Sequence, residues 1–195
     1  MFHFYNILLN IILYKIVPKT KKSILKGNKI FGAAIIKKND YSLLTIGVNN
    51  EIDNPLLHGE ISTINNFFKL KISKNIKPSE CIFLSTHEPC SLCLSAIAWS
   101  GFDNFYYFFP YNDTKRSFNI PHDLNILKEI FKINNGKYNL SNSYWKSHSI
   151  IRNIKKLKKD DNKKLSIKVL KIKEQYRKLS NFYQKNKKLN TIYLK

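Results

Sequence analysis

Cysteine is scarce in this chain of 195 residues, which contains only Cys81, Cys90 and Cys93. Three thiols cannot build the disulfide framework on which small secreted domains depend, so that class of protein is excluded. The low count indicates a reducing compartment, and we expect a cytoplasmic protein. Cys81 begins an apolar run and is expected to be a small buried side chain, which leaves the closely spaced pair to explain.

Arginine is equally scarce, with three residues (Arg116, Arg152 and Arg177) in a chain of formal net charge +21. The segment from residue 146 to the end holds 17 Lys and Arg against three Asp and Glu. Clustered cations with interleaved aromatic residues are typical of an arm that binds nucleic acid. Dedicated phosphate clamps prefer arginine, however, and an AT-rich genome also encodes chains rich in Lys, Asn and Ile. We therefore prefer a compositional origin for the charge and keep RNA binding as the alternative.

Long apolar runs are absent apart from residues 1–17. This run is shorter than the roughly 20 residues that a transmembrane helix needs, and it lacks the positive leading region of a secretory signal. Leu8, Ile11 and Ile12 fall on one face of a helix at their spacing. We expect a first helix that packs on the sheet, and no association with a membrane.

Strand-like and helix-like patterns alternate along the rest of the chain, which predicts an α/β layered fold. Four strands are visible, and the basic segment near the C-terminus has the spacing of an amphipathic helix. The predicted strands are residues 31–37, 42–48, 81–86 and 104–109, and the predicted helices are residues 57–70, 89–100, 122–131 and 166–188.

His58, Glu60, Cys90 and Cys93 supply the groups of a hydrolytic zinc site. Two thiols three residues apart at the start of a helix can bind one tetrahedral metal ion, with a histidine from elsewhere as the third ligand. The fourth position then stays open for water, as in catalytic rather than structural sites. Pro89 suits the first turn of such a helix, whose positive end favours thiolate. The helix predicted for residues 57–70 has His58 and Glu60 at its N-terminal end, where both side chains can reach the same metal ion.

Three segments resemble the cytidine deaminase superfamily, the zinc hydrolases that replace an amino group on a nucleobase with oxygen. Residues 57–63, LHGEIST, resemble the equivalent stretch of fungal cytosine deaminases. Residues 85–93, STHEPCSLC, are similar to the guanine deaminase and tRNA adenosine deaminase branches, where Glu often precedes Pro-Cys. Residues 31–36, FGAAII, resemble the first strand of the same domain. The likeness covers roughly residues 30–131, with its specific motifs in the family's order.

The resemblance implies a three-layer α/β/α fold with a mixed sheet of about five strands, followed here by a basic C-terminal helical tail. We accordingly divide the chain into a catalytic domain, residues 1–145, and a helical extension, residues 146–195. Members of the family usually assemble, so we also expect a homo-oligomer.

The resemblance also implies roles for the motif residues. His58, Cys90 and Cys93 are the expected ligands of Zn²⁺, and both thiols must ionise to bind it. Glu60 is the expected catalytic residue, which moves protons from a water molecule to the ring nitrogen and the leaving amine. We therefore expect a zinc-dependent hydrolase.

Candidate substrate contacts lie just before the first motif. In the family, an asparagine upstream of His-x-Glu hydrogen-bonds the base, and Asn49 or Asn50 occupies that region. A turn at the end of the preceding strand is the other explanation, since asparagine favours turns. Gly59 is expected to let the backbone approach the ligand closely.

Two alternatives to a catalytic zinc site stay open. A closed structural site would recruit His87 or Cys81 as a fourth protein ligand. Cys90 and Cys93 would otherwise form a redox pair, although that explanation leaves the upstream His-Gly-Glu without a purpose.

The predicted function is a zinc-dependent hydrolytic deaminase of a small nucleobase or nucleoside of the cytosine, guanine or cytidine type. The first alternative is a tRNA-specific adenosine deaminase, which would use the same site on a flipped-out anticodon adenine and the basic tail on the RNA. The second is a non-catalytic zinc- or RNA-binding protein on a deaminase fold. The LHGEIST segment favours cytosine as the substrate. The residues around the cysteine motif do not, because they are similar to the guanine deaminase and tRNA adenosine deaminase branches.

Overall fold

A five-stranded mixed sheet forms the centre of the computed structural model, which describes residues 1–195. The strands are β1 (Gly32–Lys37), β2 (Leu43–Val48), β3 (Cys81–His87), β4 (Asn104–Phe109) and β5 (Lys146–Ser149). They lie in the order β2-β1-β3-β4-β5, with β1 antiparallel to β2 and β3, and with β3, β4 and β5 parallel. The expected α/β fold with a mixed sheet is confirmed.

The fifth strand, β5, is the one that the sequence did not reveal. It consists of Lys146, Ser147, His148 and Ser149, without the apolar pattern of a buried strand. Parallel pairing with β4 forms it, and the ring of His148 stacks on Tyr106 with centroids 4.5 Å apart. The domain boundary at residue 145 stays a prediction, and in the structure the segment after it supplies a strand to the same sheet.

Helices cover both faces of the sheet. The α-helices are α1 (Phe2–Ile11), α2 (Val17–Ile24), α3 (Gly59–Lys69), α4 (Ser91–Trp99), α5 (Tyr111–Arg116), α6 (His122–Glu129), α7 (Ile150–Lys155) and α8 (Lys159–Asn186). A π-helical turn, Ile12–Ile16, joins α1 to α2 and ends two residues before Pro18, which has no N–H to donate into the helix. Short 3-10 segments cover Lys71–Asn75, Pro78–Glu80, Asn134–Gly136 and Lys187–Leu189.

The sheet separates two apolar cores. Along β1, Ala34 and Ile36 point into a cluster of 28 buried residues shared with α1, α2, α7 and α8, which we call the α8 layer. Ala33 and Ile35 point the other way, into a cluster of 15 residues shared with α3, α4 and α6, which we call the site layer. Because successive side chains of a strand alternate between its faces and both faces are buried, β1 is apolar from Gly32 to Ile36.

The C-terminal helix α8 is part of this core. It begins seven residues before the predicted start at residue 166. Leu165, Ile172 and Tyr176 are buried against the sheet. Lys168 donates through Nζ to Asn6 Oδ1 at 2.5 Å and to a second asparagine of α1, Asn10, at 2.6 Å. The basic tail therefore closes one side of the fold while its outer face carries the cations.

The apolar start of the chain lies in the α8 layer as well. Tyr5, Leu8 and Leu9 are buried in the larger core, in agreement with the expectation of a first helix packed on the sheet. None of the helices is both long enough and apolar enough to cross a membrane.

Candidate metal centre and active site

Three donor side chains converge where the N-termini of α3 and α4 meet. His58 is the residue directly before α3, Cys90 is the residue directly before α4, and Cys93 lies in the first turn of α4. Pro89 precedes Cys90 and so lies outside the helix, rather than in its first turn as predicted. It lies in the short connection between the end of β3 at His87 and the start of α4 at Ser91.

The geometry of the three donors fits one zinc ion. Cys90 Sγ and Cys93 Sγ are 3.6 Å apart, and His58 Nδ1 lies 3.4 Å from the first and 3.6 Å from the second. Zn–S bonds of about 2.3 Å and Zn–N bonds of about 2.0 Å at tetrahedral angles place such atoms roughly 3.5–3.8 Å apart. A soft, anionic pair of thiolates with an imidazole is also the donor chemistry that zinc prefers.

The fourth ligands proposed for a closed site lie elsewhere. His58, Cys90 and Cys93 are the only group of three or more potential His, Cys, Asp or Glu ligands that converges in the chain. The ring of His87 faces the α8 layer, where Tyr176 is among the aromatic side chains around it. Cys81 is at the opposite end of β3. Neither side chain closes the metal site.

The ligands influence one another's ionisation. Contact with the sulfur of Cys93, and then with His58, lowers the pKa of Cys90 well below its usual value, whereas burial raises the pKa of Cys93. Burial acts to lower the pKa of His58, but the Cys90 thiolate outweighs it and raises that pKa to about 9. A thiolate beside an imidazolium is thus favoured in the metal-free site, and metal binding must release protons.

Glu60 is buried beside the ligands and does not belong to their triangle. Its Oε2 lies 3.3 Å from Cys93 Sγ, and its Oε1 accepts a hydrogen bond of 2.6 Å from Ser85 Oγ. Burial and then the Cys90 charge raise its pKa, and the Ser85 hydrogen bond opposes them. Ser85 Oγ also lies 2.6 Å from the carbonyl oxygen of His87, so it can donate there and accept from Glu60 when that carboxyl is protonated. The sequence did not single out Ser85, because its position on the site face of β3 is a tertiary feature.

The three predicted substrate contacts have different surroundings. Asn49 is buried, and its Oδ1 accepts from the N–H of Gly59 at 2.6 Å. Asn50 instead donates to Asp53 within its own loop at 2.6 Å. A Cβ on Gly59 would stand 2.7 Å from the Cα of Gly32, so the glycine lets the start of α3 lie against β1.

Comparison with known proteins identifies the family. A family model for the cytidine and deoxycytidylate deaminase zinc-binding region matches residues 12–109, about half of the chain. The chain belongs to this family. The match and the His-Cys-Cys triangle together establish Zn²⁺ as the cofactor that the site is built to hold.

Two curated relatives show similar identity and differ in their names. The tRNA-specific adenosine deaminase of Rickettsia bellii is 35% identical over 78 residues, covering 39% of this chain and 52% of the relative. The cytosine deaminase of Candida albicans is 36% identical over 88 residues, covering 44% of this chain and 56% of the relative. The chain therefore spans about half the length of these curated relatives.

A solved structure shares the fold over a longer stretch. The guanine deaminase from Nitrosomonas europaea has a TM-score of 0.50 and 12% identity, covering 82% of this chain and 80% of that chain. At this identity the likeness concerns the arrangement of sheet and helices.

Glu88, the glutamate before Pro-Cys, connects the loop that precedes Cys90 to later segments of this deaminase-family chain through hydrogen bonds. Its Oε2 accepts from the N–H of Tyr111 and its Oε1 from the hydroxyl of Tyr138, both at 3.0 Å. The Tyr111 hydroxyl in turn donates to the carbonyl of Pro89. Burial raises the pKa of Glu88 in spite of these hydrogen bonds. The contacts hold the loop that presents Cys90.

Asp123 is an acid near the site whose position the sequence did not reveal. It lies in the first turn of α6. Burial raises its pKa well above the usual value, and the charges of Cys90 and Glu60 act on it in the same direction. The helix α6 packs against α4, which carries Cys93 in its first turn, so Asp123 lies at the start of a helix that neighbours the metal ligands.

Proposed function

We propose that this chain is a zinc-dependent hydrolytic deaminase of a free nucleobase or nucleoside of the cytosine, guanine or cytidine type. One observation carries the proposal: the buried carboxyl of Glu60 lies 3.3 Å from a ligand sulfur of a three-donor zinc triangle. A structural zinc site has no use for a buried, non-ligating acid with a raised pKa.

Each side chain of the site has a separate task. His58, Cys90 and Cys93 would hold zinc, which when bound would supply the Lewis acid that makes water nucleophilic near neutral pH. Glu60 accepts a proton from the attacking water and delivers protons to the ring nitrogen and then to the departing ammonia. Ser85 holds the Glu60 carboxyl in position through both protonation states. The keto base and ammonia are the products.

Substrate recognition is proposed for Asn49, Gly59 and Asp123. Asn49 is held rigid by its hydrogen bond from the Gly59 N–H, so its remaining N–H and lone pair have fixed directions. Asp123, at the start of the helix that packs against α4, offers a carboxyl that can accept from, or when protonated donate to, the edge of a base. Asn50 is the weaker candidate because its side chain bonds Asp53.

The direct test is ammonia release by zinc-loaded protein from cytosine, guanine, cytidine, adenosine and a short tRNA anticodon stem-loop. Glu60→Ala is the negative control, because it removes the proposed proton shuttle and leaves the three ligands. We expect release from one free base or nucleoside, and none in the control. Equal release by wild type and Glu60→Ala would show that the activity comes from elsewhere.

The second candidate is a tRNA adenosine deaminase, and the exposed cations of α8 favour it. Lys163, Lys164 and Lys185 are exposed on that helix, whose other face is buried. Truncation is a poor test because α8 belongs to the core. Replacing these three lysines by glutamine should instead weaken RNA binding and flatten its salt dependence, with the slope falling by roughly 0.7–0.9 for each phosphate that the variant no longer binds. Turnover of a free base should be unchanged in this variant.

A homo-oligomer is also proposed, and an exposed aromatic cluster at the end of α4 supports it. The side chain of Trp99 is 91% exposed and that of Tyr144 is 69% exposed. Both line one cleft with Trp145. Exposed aromatic patches mark interaction sites in soluble proteins. Light scattering after size exclusion should show an assembly that Trp99→Ser reduces, and a monomeric wild type would contradict this proposal.

A further inference from the structure

A buried ion pair of unexplained purpose lies beside the metal centre. Lys29 Nζ is 2.7 Å from Glu51 Oε1, and the two residues are only 5% and 4% exposed. Lys29 belongs to the segment before β1, and Glu51 follows β2. Removing two charges from water costs more than their attraction returns unless further partners satisfy them, so such a pair is weak evidence of a merely stabilising role.

Glu51 has those further partners, and both lead to the site. Its Oε2 accepts from Asn49 Nδ2 at 2.6 Å, and its Oε1 lies 3.7 Å from His58 Nε2. The other ring nitrogen of His58, Nδ1, faces the two ligand sulfurs at 3.4 and 3.6 Å. The imidazole thus lies between the thiol pair on one side and a carboxylate on the other.

This arrangement matches a general feature of protein metal sites. A histidine ligand commonly directs its second ring nitrogen to a carboxylate, which fixes the tautomer and the orientation of the ring. At 3.7 Å the contact between Glu51 and His58 is electrostatic rather than a hydrogen bond, and it favours the proton of His58 on Nε2, which leaves the Nδ1 lone pair for the metal. Lys29 occupies the same carboxylate oxygen and balances its charge, so Glu51 is held in place by a cation of the chain itself.

We propose that Glu51, balanced by Lys29, is a positioning residue that sets the orientation of the metal ligand His58 and of Asn49, the residue proposed above to recognise substrate. The inference rests on the proposed metal ligands and adds residues to which neither motif points. Three successive hydrogen bonds run from Lys29 through Glu51 and Asn49 to the N–H of Gly59, the first residue of α3. One hydrogen-bonded chain therefore connects the segment before β1, the turn after β2 and the helix that carries Glu60.

The test measures metal affinity of the full chain by chelator competition with Zn²⁺, together with the absorption spectrum of the Co²⁺-substituted protein. Glu51→Gln keeps the shape and removes the charge. We expect it to weaken Zn²⁺ binding by about 10–100-fold and to shift the Co²⁺ ligand-field bands. Glu174→Gln, an exposed glutamate on α8, is the matched control and should leave both readouts unchanged.

A second variant separates positioning from structural support. Lys29→Met should lower the melting temperature, because it leaves a buried carboxylate without its partner. Adding Glu51→Gln to Lys29→Met should restore the melting temperature and leave Zn²⁺ binding weak. If the ion pair were purely structural, the double variant would recover its Zn²⁺ affinity as well as its melting temperature. That result would overturn the inference.

The outcomes distinguish the inference from the metal site on which it rests. Wild-type Zn²⁺ affinity and an unaltered Co²⁺ spectrum in Glu51→Gln would overturn the role of Glu51 alone. A wild-type protein whose Co²⁺ form lacks a thiolate charge-transfer band would overturn the ligand assignment, and the role of Glu51 with it.

Discussion

The two layers on either side of the sheet differ in how they use polar residues. In the site layer, the ends of α3 and α4 direct polar and ionisable groups inward, so that Glu60, Cys93 and their neighbours are buried together. The α8 layer is built on a 28-residue apolar core, against which the ring of His87 packs, and most charged residues of α8 face outward, apart from Lys168, which reaches α1. Buried carboxyl and thiol groups are therefore concentrated around the metal centre, whereas most cations of α8 lie on the surface.

The difference between the layers shows that the net positive charge and the proposed chemistry lie in different segments of this chain. Most of the formal charge of +21 lies after residue 145, yet the residues proposed for catalysis and metal binding all lie before it. α8 is held by side chains such as Ile172 and Tyr176, both fully buried, whatever its cations bind. Four experiments test this difference between the site layer and the α8 layer, and the one expected to change the protein most comes first.

Removing a metal ligand should have the largest effect. We expect Cys90→Ala to lose most of its bound zinc, its activity and part of its stability, because metal binding and folding are coupled. Zinc content by mass spectrometry and melting curves with and without chelator measure both. Cys81→Ala, which changes a buried thiol at the other end of β3, should keep its zinc. Normal zinc stoichiometry in Cys90→Ala would disprove the ligand assignment.

Removing the proton shuttle should abolish chemistry and spare the metal. Glu60→Gln keeps the shape of a buried side chain, so we expect normal zinc content and a rate lower by about 10²–10⁴-fold or more. The measurement is ammonia release at equal zinc loading, with exposed Glu129→Gln as the control. If Glu60→Gln leaves every measurable function intact, the chain is a non-catalytic binding protein.

A matched pair on α8 tests whether the basic helix belongs to the core. Ile172 is fully buried and Ile167 is 67% exposed on the same helix. Ile172→Ala should cost about 2–5 kcal/mol of unfolding free energy through the cavity it leaves, and Ile167→Ala less than about 0.5 kcal/mol. Denaturant unfolding of both variants provides the numbers. Equal values would mean that α8 does not pack as described.

Acid should weaken the α8 layer through His87. Burial among aromatic rings holds its pKa well below the ordinary value of about 6.5, so the folded protein keeps it neutral while the unfolded chain protonates. Stability is therefore lost as the pH falls below 6.5, by up to about 1.4 kcal/mol per pH unit. Melting curves of chelator-treated wild type and His87→Phe between pH 7.5 and 5.5 isolate this contribution. Parallel curves would show that His87 does not titrate on unfolding.

Prediction from sequence succeeded where a motif is short and its spacing is local. The pairing of His58 with Glu60 and of Cys90 with Cys93 was visible because each pair opens a helix. Their convergence agrees with the family's zinc-binding region. The roles of Glu60, Asn49 and Gly59 stay predictions for the experiments above.

Other features required contacts between distant parts of the chain. The residues of β5 have no strand pattern, and they form a strand because they pair in parallel with β4 at the edge of the sheet. Ser85 lies beside Glu60 because β3 and α3 meet in the fold, and Asp123 lies at the start of a helix that packs against α4. No periodicity in their own segments points to these positions.

The chemical groups of the site and the alternation of strands and helices can be predicted from the amino-acid order, because short-range spacing encodes helix ends and strand faces. The meeting of Lys29, Glu51 and His58 cannot, and neither can the contact of Lys168 with the first helix across 158 to 162 residues of chain. Burial and charge pairing depend on distances in space, which a linear pattern does not contain.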